Sequence, residues 1–186
     1  RTRWTDNITL PGMLHLAMVR SPFAHARITS IDTSAAAAAT NVVAVLTGAD
    51  LGEGQGACIN AWPVVVDQVT PPHIPMPSDR VAFAGETVAV VVARTAAEAR
   101  DAAELVEVDY EELPAALDLK EAAAAHENGG VIAHPDLGTN VSAVWKFDSA
   151  EAGTGSDVEA AITEARANGI LIEREYRQQR LIPAFM

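Results

Sequence analysis

Histidine, cysteine and grouped carboxylates are the side chains that most often hold metal or carry a reaction, and this chain has few of them in useful order. Its five histidines, His15, His25, His73, His126 and His134, are scattered, and none stands in an HxxxH or HExxH spacing. Those spacings place two ligands one helical turn apart, so their absence leaves no metal centre to argue for. The single cysteine, Cys58, has no motif around it and permits neither an internal disulfide nor a cysteine cage; it reads as an inert thiol in a reducing compartment. Gly52-Glu53-Gly54-Gln55-Gly56 is glycine-rich but matches neither a P-loop nor GxGxxG, and its carboxylate would repel phosphate. No GxSxG elbow is present to expose a nucleophile. Asp109, Glu111 and Glu112 form a carboxylate group, but their alternation with Val108 and Tyr110 explains them as the wet face of a strand. His25, in Arg20-Ser21-Pro22-Phe23-Ala24-His25-Ala26, sits where polar groups concentrate, and a structural hydrogen-bonding role is expected of it. No catalytic, cofactor-binding or metal-binding residue is assigned to this chain.

The composition narrows the function classes further. With 25 acidic against 13 basic side chains, the formal net charge is −12. Nucleic-acid binding depends on neutralising phosphates, and docking to anionic lipid has the same requirement, so both are disfavoured. The longest apolar runs, such as Val88 to Ala93, are far too short to span a bilayer as a helix. The chain opens Arg1-Thr2-Arg3-Trp4 without an apolar leader, and both ends read as cut. A cytoplasmic location is expected. Hydrophobic residues make up 49% but aromatics only 5%, so the core must be built from Val, Ile, Leu and Ala, as suits helices lying close on a sheet.

The spacing of apolar residues predicts the supporting elements. Met13 to Arg20 reads as a strand between the turn signals Pro11-Gly12 and Ser21-Pro22, and Ala26 to Ile31 as a half-buried strand. Asp32-Thr33-Ser34 ahead of five alanines predicts a short capped helix, and Val42 to Leu46 another strand. Residues 51–79 form a long loop, either a surface excursion or a subunit contact. Phe83-Ala84-Gly85-Glu86 turns into Val88 to Ala93, a continuous apolar run typical of a fully buried strand. Thr95-Ala96-Ala97-Glu98 has the spacing of a capping box, opening a helix with Ala99, Ala102, Ala103 and Val106 on one face. Val106, Val108 and Tyr110 then alternate with acidic residues, which completes a βαβ-like unit, right-handed if its strands are parallel and share a sheet. Beyond Pro114, a short helix is expected over Leu119 to Ala125, a strand over Val141 to Phe147, a helix over Asp157 to Ala167 and a strand over Ile170 to Tyr176.

Several phrases, taken in order, give this chain a family likeness. They are Thr5-Asp6-Asn7-Ile8 with Leu10-Pro11-Gly12-Met13-Leu14-His15, then Val19-Arg20-Ser21-Pro22-Phe23-Ala24-His25-Ala26-Arg27-Ile28 and Val43-Ala44-Val45-Leu46-Thr47-Gly48-Ala49-Asp50. Phe83 to Val91, Ala99 to Val106, Val108 to Pro114 and the closing Arg177-Gln178-Gln179-Arg180-Leu181-Ile182-Pro183-Ala184 follow. Together they resemble the molybdenum hydroxylase large subunits: the aerobic carbon monoxide dehydrogenase large chain, xanthine dehydrogenase and aldehyde oxidase. The resemblance implies an α+β fold, the α/β hammerhead with a mixed sheet and packed helices. That domain would occupy residues 1–118, its motifs running from Asn7 to Pro114. Residues 119–186 would then connect to a molybdopterin-binding region.

In such enzymes a molybdopterin-type molybdenum cofactor hydroxylates a small substrate using water, and electrons leave through iron–sulfur clusters and FAD on partner chains or domains. The resemblance therefore implies three partners: the downstream molybdopterin-binding domain, the iron–sulfur subunit and the flavin subunit. The family's pterin-contacting segments, active-site loop and catalytic glutamate lie downstream of Met186, so none is carried onto this sequence. Arg20, Ser21, His25 and the Gly85-Glu86 turn are expected to fix backbone geometry or domain contacts. Two other readings stand beside this one: a free-standing interaction module with a hammerhead fold and no redox role, and a small independent enzyme with an unrecognised site.

Overall fold

The apolar run Val88 to Ala93 becomes the middle of a sheet. A computed structural model of the chain describes residues 4, 7–56, 65, 67–145 and 157–177. In it Thr87–Ala93 (β5) lies between His15–Arg20 (β1) and Val42–Thr47 (β3), antiparallel to both. A second three-stranded sheet has Ala26–Asp32 (β2) at its centre, antiparallel to Arg80–Val81 (β4) and to Glu107–Glu112 (β6). Cys58 and the closing phrase from Gln178 onward lie outside the described residues.

The α+β hammerhead architecture is present, with one difference in detail: two antiparallel sheets stand where a mixed sheet was expected. The strand–helix–strand unit explains why. β5 and β6 join different sheets, so the helix between them, Ala96–Ala103 (α3), links two sheets instead of crossing over within one. Their residue patterns fit those places, since β5 is apolar from Val88 to Ala93 and pairs on both edges, whereas β6 alternates with its acidic residues exposed.

Helices seal one side of the first sheet. Ala99 and Ala102 of α3 are buried against Ala17, Ala89, Val91 and Ala93, and Ala36 of the polyalanine helix Ser34–Ala38 (α1) joins the same core. Alanine at the contact lets helix and sheet approach closely without a cavity. The second core, Ala26, Ile28, Val81 and Val88, sits on β2, and half-buried Val19, Ile31 and Val108 pack against both. In β2 the inward residues change from Ala26 and Ile28 to Ile31, a break in simple alternation. A register shift between Ile28 and Ser30 re-phases the strand there, as a bulge does.

Capping follows sequence at α3 but not at α1, where Thr33 at the N-cap makes no side-chain cap bond and Asp32 instead accepts from Ser34 N at 2.8 Å. Thr95 Oγ1 accepts from Glu98 N at 3.2 Å and donates to the Glu98 carboxylate at 2.8 Å, while Asn41 Nδ2 donates to the same carboxylate. A second box, between Thr47 and Asp50, opens the one-turn helix Gly48–Leu51 (α2), which runs into a 3₁₀ turn at Gly52–Gly54. The long loop is thus tied down in part. Gln55 donates to Met76 O at 2.8 Å and accepts from Met76 N at 3.1 Å, and Met76 is buried.

Leu119–Asn128 (α4) is a turn longer than expected and ends at Gly129 in the left-handed conformation. Residues 141–145 form no strand; their partner is Val69, through Val69 N to Ser142 O at 2.8 Å and Ser142 Oγ to Val69 O at 2.7 Å. The chain divides into two compact units, 1–144 and 145–186. In the second, Val158–Asn168 (α5) is capped by Asp157, whose carboxylate accepts from Ala160 N. Ile170 to Tyr176 is also not a strand: Ile170, Ile172 and Tyr176 are 88%, 75% and 89% exposed. A strand needs a neighbour for its backbone groups, and the described residues supply none here.

Two predictions follow from this packing. A Cβ at buried Gly48 would stand 2.6 Å from Met76 O and 2.7 Å from Pro77 O, both backbone. Gly48→Ala should therefore cost about 2–4 kcal/mol in urea denaturation, while Gly54→Ala, with open space around it, should lie within about 0.5 kcal/mol of the parent. Hydrogen bonds from Asn41 and then Thr95 hold the Glu98 carboxyl below its usual range. Because the folded value is the lower one, the contribution is complete above the ordinary carboxylate range and disappears as pH falls through the folded value. Melting temperatures of the parent and Glu98→Gln should differ at neutral pH and converge in acid.

Candidate functional site

The loop from β1 to β2 carries the chain from one sheet to the other, and its polar groups are buried. Ser21, His25 and Glu86 are only 2%, 8% and 8% exposed, deeper than other polar side chains among the described residues. Ser21 N donates to Glu86 O at 2.9 Å and Ser21 O accepts from Gly85 N at 2.8 Å, a reciprocal backbone pair. Gly85 adopts φ +92°, a conformation that favours glycine, and Glu86 N closes the turn onto Phe83 O. Arg20 Nη1 donates to Gly85 O at 2.7 Å, and one Glu86 carboxylate oxygen accepts from Ala82 N at 2.6 Å. Ser21 Oγ accepts from Phe23 N at 3.1 Å, a local turn that competes with any other use of the hydroxyl.

His25 pins the end of β6. Its carbonyl accepts from Leu113 N at 3.0 Å, and its Nδ1 lies 2.7 Å from Pro114 O. A carbonyl only accepts, so Nδ1 carries the proton. Nε2 is buried without a hydrogen-bond partner. Phe23 packs at 5.1 Å between ring centroids on Tyr110 of β6, whose phenol burial pushes above its ordinary range while a bond with Ser21 pulls it down. Arg20, Ser21, His25, Gly85 and Glu86, singled out from sequence, thus form one cluster joining the β1–β2 loop, the turn before β5 and the end of β6.

Beside the cluster lies a cleft of about 400 Å³, lined by His73, Arg80, Phe83, Glu86, His134 and Asp136 among others. His73 stacks on Phe83 with centroids 5.5 Å apart. Burial first, then the Arg80 guanidinium, holds the His134 imidazole below its usual pKa; Glu86 opposes, while His25 and His73 add to the lowering. Sequence reading did not bring these residues together, because they come from β4 and three loops with no common motif. His15 stays on β1, and His126 is exposed at the end of α4, 3.7 Å from Glu127. The acidic strand face meets Arg27, whose Nε lies 3.2 Å from Glu111 Oε2, and Ser30, which donates to Asp109 at 2.7 Å. Among the described residues, no three His, Cys, Asp or Glu side chains converge to hold a metal ion.

Comparison with known proteins gives this geometry a context. A family model for the aldehyde oxidase and xanthine dehydrogenase a/b hammerhead domain matches residues 1–114. The carbon monoxide dehydrogenase large chain of Afipia carboxidovorans is 45% identical over 115 residues, 62% of this chain and 14% of its own. The xanthine dehydrogenase molybdenum-binding subunit of Escherichia coli O157:H7 is 32% identical over 146 residues, 75% of this chain and 19% of its own. Among solved structures, quinoline 2-oxidoreductase from Pseudomonas putida 86 superposes with a TM-score of 0.68 at 38% identity, covering 83% of this chain and 19% of that one. The chain therefore spans 14% to 19% of the length of these relatives.

The cluster makes a specific prediction. His25→Ala removes the bond to Pro114 O and leaves a void where the buried ring sits, and should lower the unfolding free energy by about 1–3 kcal/mol in urea titrations. Nitrogen NMR of the parent should show a proton on Nδ1 of His25; a neutral ring protonated at Nε2 alone would contradict the assignment.

Proposed function

The chain belongs to the aldehyde oxidase and xanthine dehydrogenase hammerhead family, and from that membership we propose that it is the non-catalytic front module of a carbon monoxide dehydrogenase-like large subunit. The observation that carries this reading is the commitment of the buried polar side chains. Ser21, His25 and Glu86 each spend hydrogen bonds on nearby backbone, as side chains that build a scaffold do. The hammerhead proper is assigned to residues 1–118, a boundary supported by the family match ending at 114, and residues 119–186 lead toward a molybdopterin-binding region.

The parent, on this reading, is a cytoplasmic molybdenum-dependent oxidoreductase that oxidises a small substrate with water. Its further partners are iron–sulfur and flavin subunits or domains. Among the described residues, no helix is long and apolar enough to cross a membrane. On this reading the molybdenum cofactor belongs to the remainder of the parent, and Gln55, after the Gly52–Gly54 turn, is bound back onto Met76.

Elemental analysis and absorbance spectra test the proposal. The full-length gene product should carry stoichiometric molybdenum, and the 186-residue chain should carry no molybdenum, flavin or iron–sulfur absorbance. A reading frame that ends at Met186, or stoichiometric molybdenum on the 186-residue chain, would overturn it.

A further inference from the structure

Asn-Gly occurs twice in the chain, at Asn128-Gly129 and Asn168-Gly169, and each pair closes a helix. Glycine has no side chain to shield its amide, so in such a pair the Gly nitrogen can attack the Asn side-chain carbonyl. A bond forms between Gly N and Asn Cγ, the Cγ–Nδ2 bond breaks, and ammonia leaves with the proton of the Gly amide. Water then opens the cyclic imide at either carbonyl, giving aspartate or isoaspartate, and nothing is oxidised or reduced. Both asparagines are exposed, so access does not separate them.

The helix ends do. Gly129 N donates to Ala125 O and Gly169 N to Ala165 O, so each attacking nitrogen is held in a cap. The Asn beside it is in helical geometry, and reaction requires the helix end to open first. At α4 that opening is opposed by tertiary structure. Gly130 N adds a second bond to Ala125 O at 2.9 Å, and Ala125 itself is buried. Asn140 ties the segment after the helix back onto it: its Nδ2 donates to Ala122 O at 3.0 Å and to Val131 O at 2.7 Å, and its Oδ1 accepts from Ala133 N. Releasing Gly129 therefore means breaking several bonds together.

Nothing comparable restrains α5. It is 11 residues long and has no buried residue. Helices shorter than about 12–15 residues are marginal in water without a packed face. Ile170 and Ile172 beyond its end are exposed, and the Arg166–Glu173 ion pair at 3.3 Å is exposed on both sides, so it adds little.

We propose that Asn168 is a site of spontaneous deamidation and isoaspartate formation, and that Asn128 is the protected copy of the same motif. The new carboxylate stands in the last turn of α5, where the helix dipole disfavours negative charge, so each conversion favours the opened end.

Incubation of the 186-residue chain at mildly alkaline pH, read by peptide mass spectrometry and enzymatic methylation of isoaspartate, tests this. Each asparagine is compared with itself in the guanidinium-unfolded chain, which cancels the effect of neighbouring sequence. Asn168 should convert within about threefold of its unfolded rate, and Asn128 about tenfold or more below its own. Equal protection of the two, or faster loss at Asn128, would overturn the proposal. Gly169 has φ −130°, which any residue adopts, and Gly169→Ala should slow conversion at Asn168 about tenfold by crowding the attacking nitrogen. An unchanged rate there would rule out the imide route. Asn140→Ala should raise conversion at Asn128 at least about threefold and leave Asn168 as it was. A constant Asn128 rate in that variant would show that pinning of α4 does not protect it, and the contrast between the two sites would fall.

Discussion

Where β1 hands over to β2, the chain leaves one sheet and enters another in the space of five residues, and the backbone groups it exposes there are buried. Each must find a partner or cost on the order of 1–3 kcal/mol. Ser21 answers this by exchanging two backbone hydrogen bonds with Gly85 and Glu86, and His25 by binding Leu113 and Pro114. The consequences reach outward. The turn before β5 is held at the start of the central strand, β6 is anchored at its end, and Phe23 is placed on Tyr110. Both cores meet at Val19, Ile31 and Val108, whose positions depend on that handover.

The same economy governs the buried polar side chains of the described residues. Buried polar groups are costly unless satisfied, and here they satisfy backbone. A hydroxyl bound to Phe23 N or a carboxylate bound to Ala82 N is poorly placed to activate a substrate. The cleft at His73, Arg80 and His134 also holds Glu86 and Asp136, and burial first, then Arg80, keeps the His134 imidazole below its usual pKa. Its residues come from loops, whose geometry the rigid sheets set.

Much of this was legible in the sequence where the relevant interaction is local. The α3 capping box needs only residues 95–98, and the alternation in β6 needs only its own side chains, so both were read correctly. The Arg20-to-His25 phrase and the Gly85-Glu86 turn were singled out, although nothing in their spacing revealed that they touch. The strands expected over 141–147, of which 141–145 are described, and over 170–176 failed for the opposite reason: strand propensity is a statement about fitting a sheet, and the described residues offer these segments no sheet to fit.

The sequence by itself determined the main elements between residues 13 and 128, the aliphatic core and, through phrase order, the family. Periodicity and capping act over a few residues and leave their mark in the chain. Only the tertiary structure decided that β5 and β6 enter separate sheets, that His25 reaches Pro114, and that Leu16 and Met18 stand beside Val92 and Val90. Those outcomes depend on which distant backbone groups pair, and pairing is settled by the requirement that all buried groups be satisfied together, which no local stretch of sequence records.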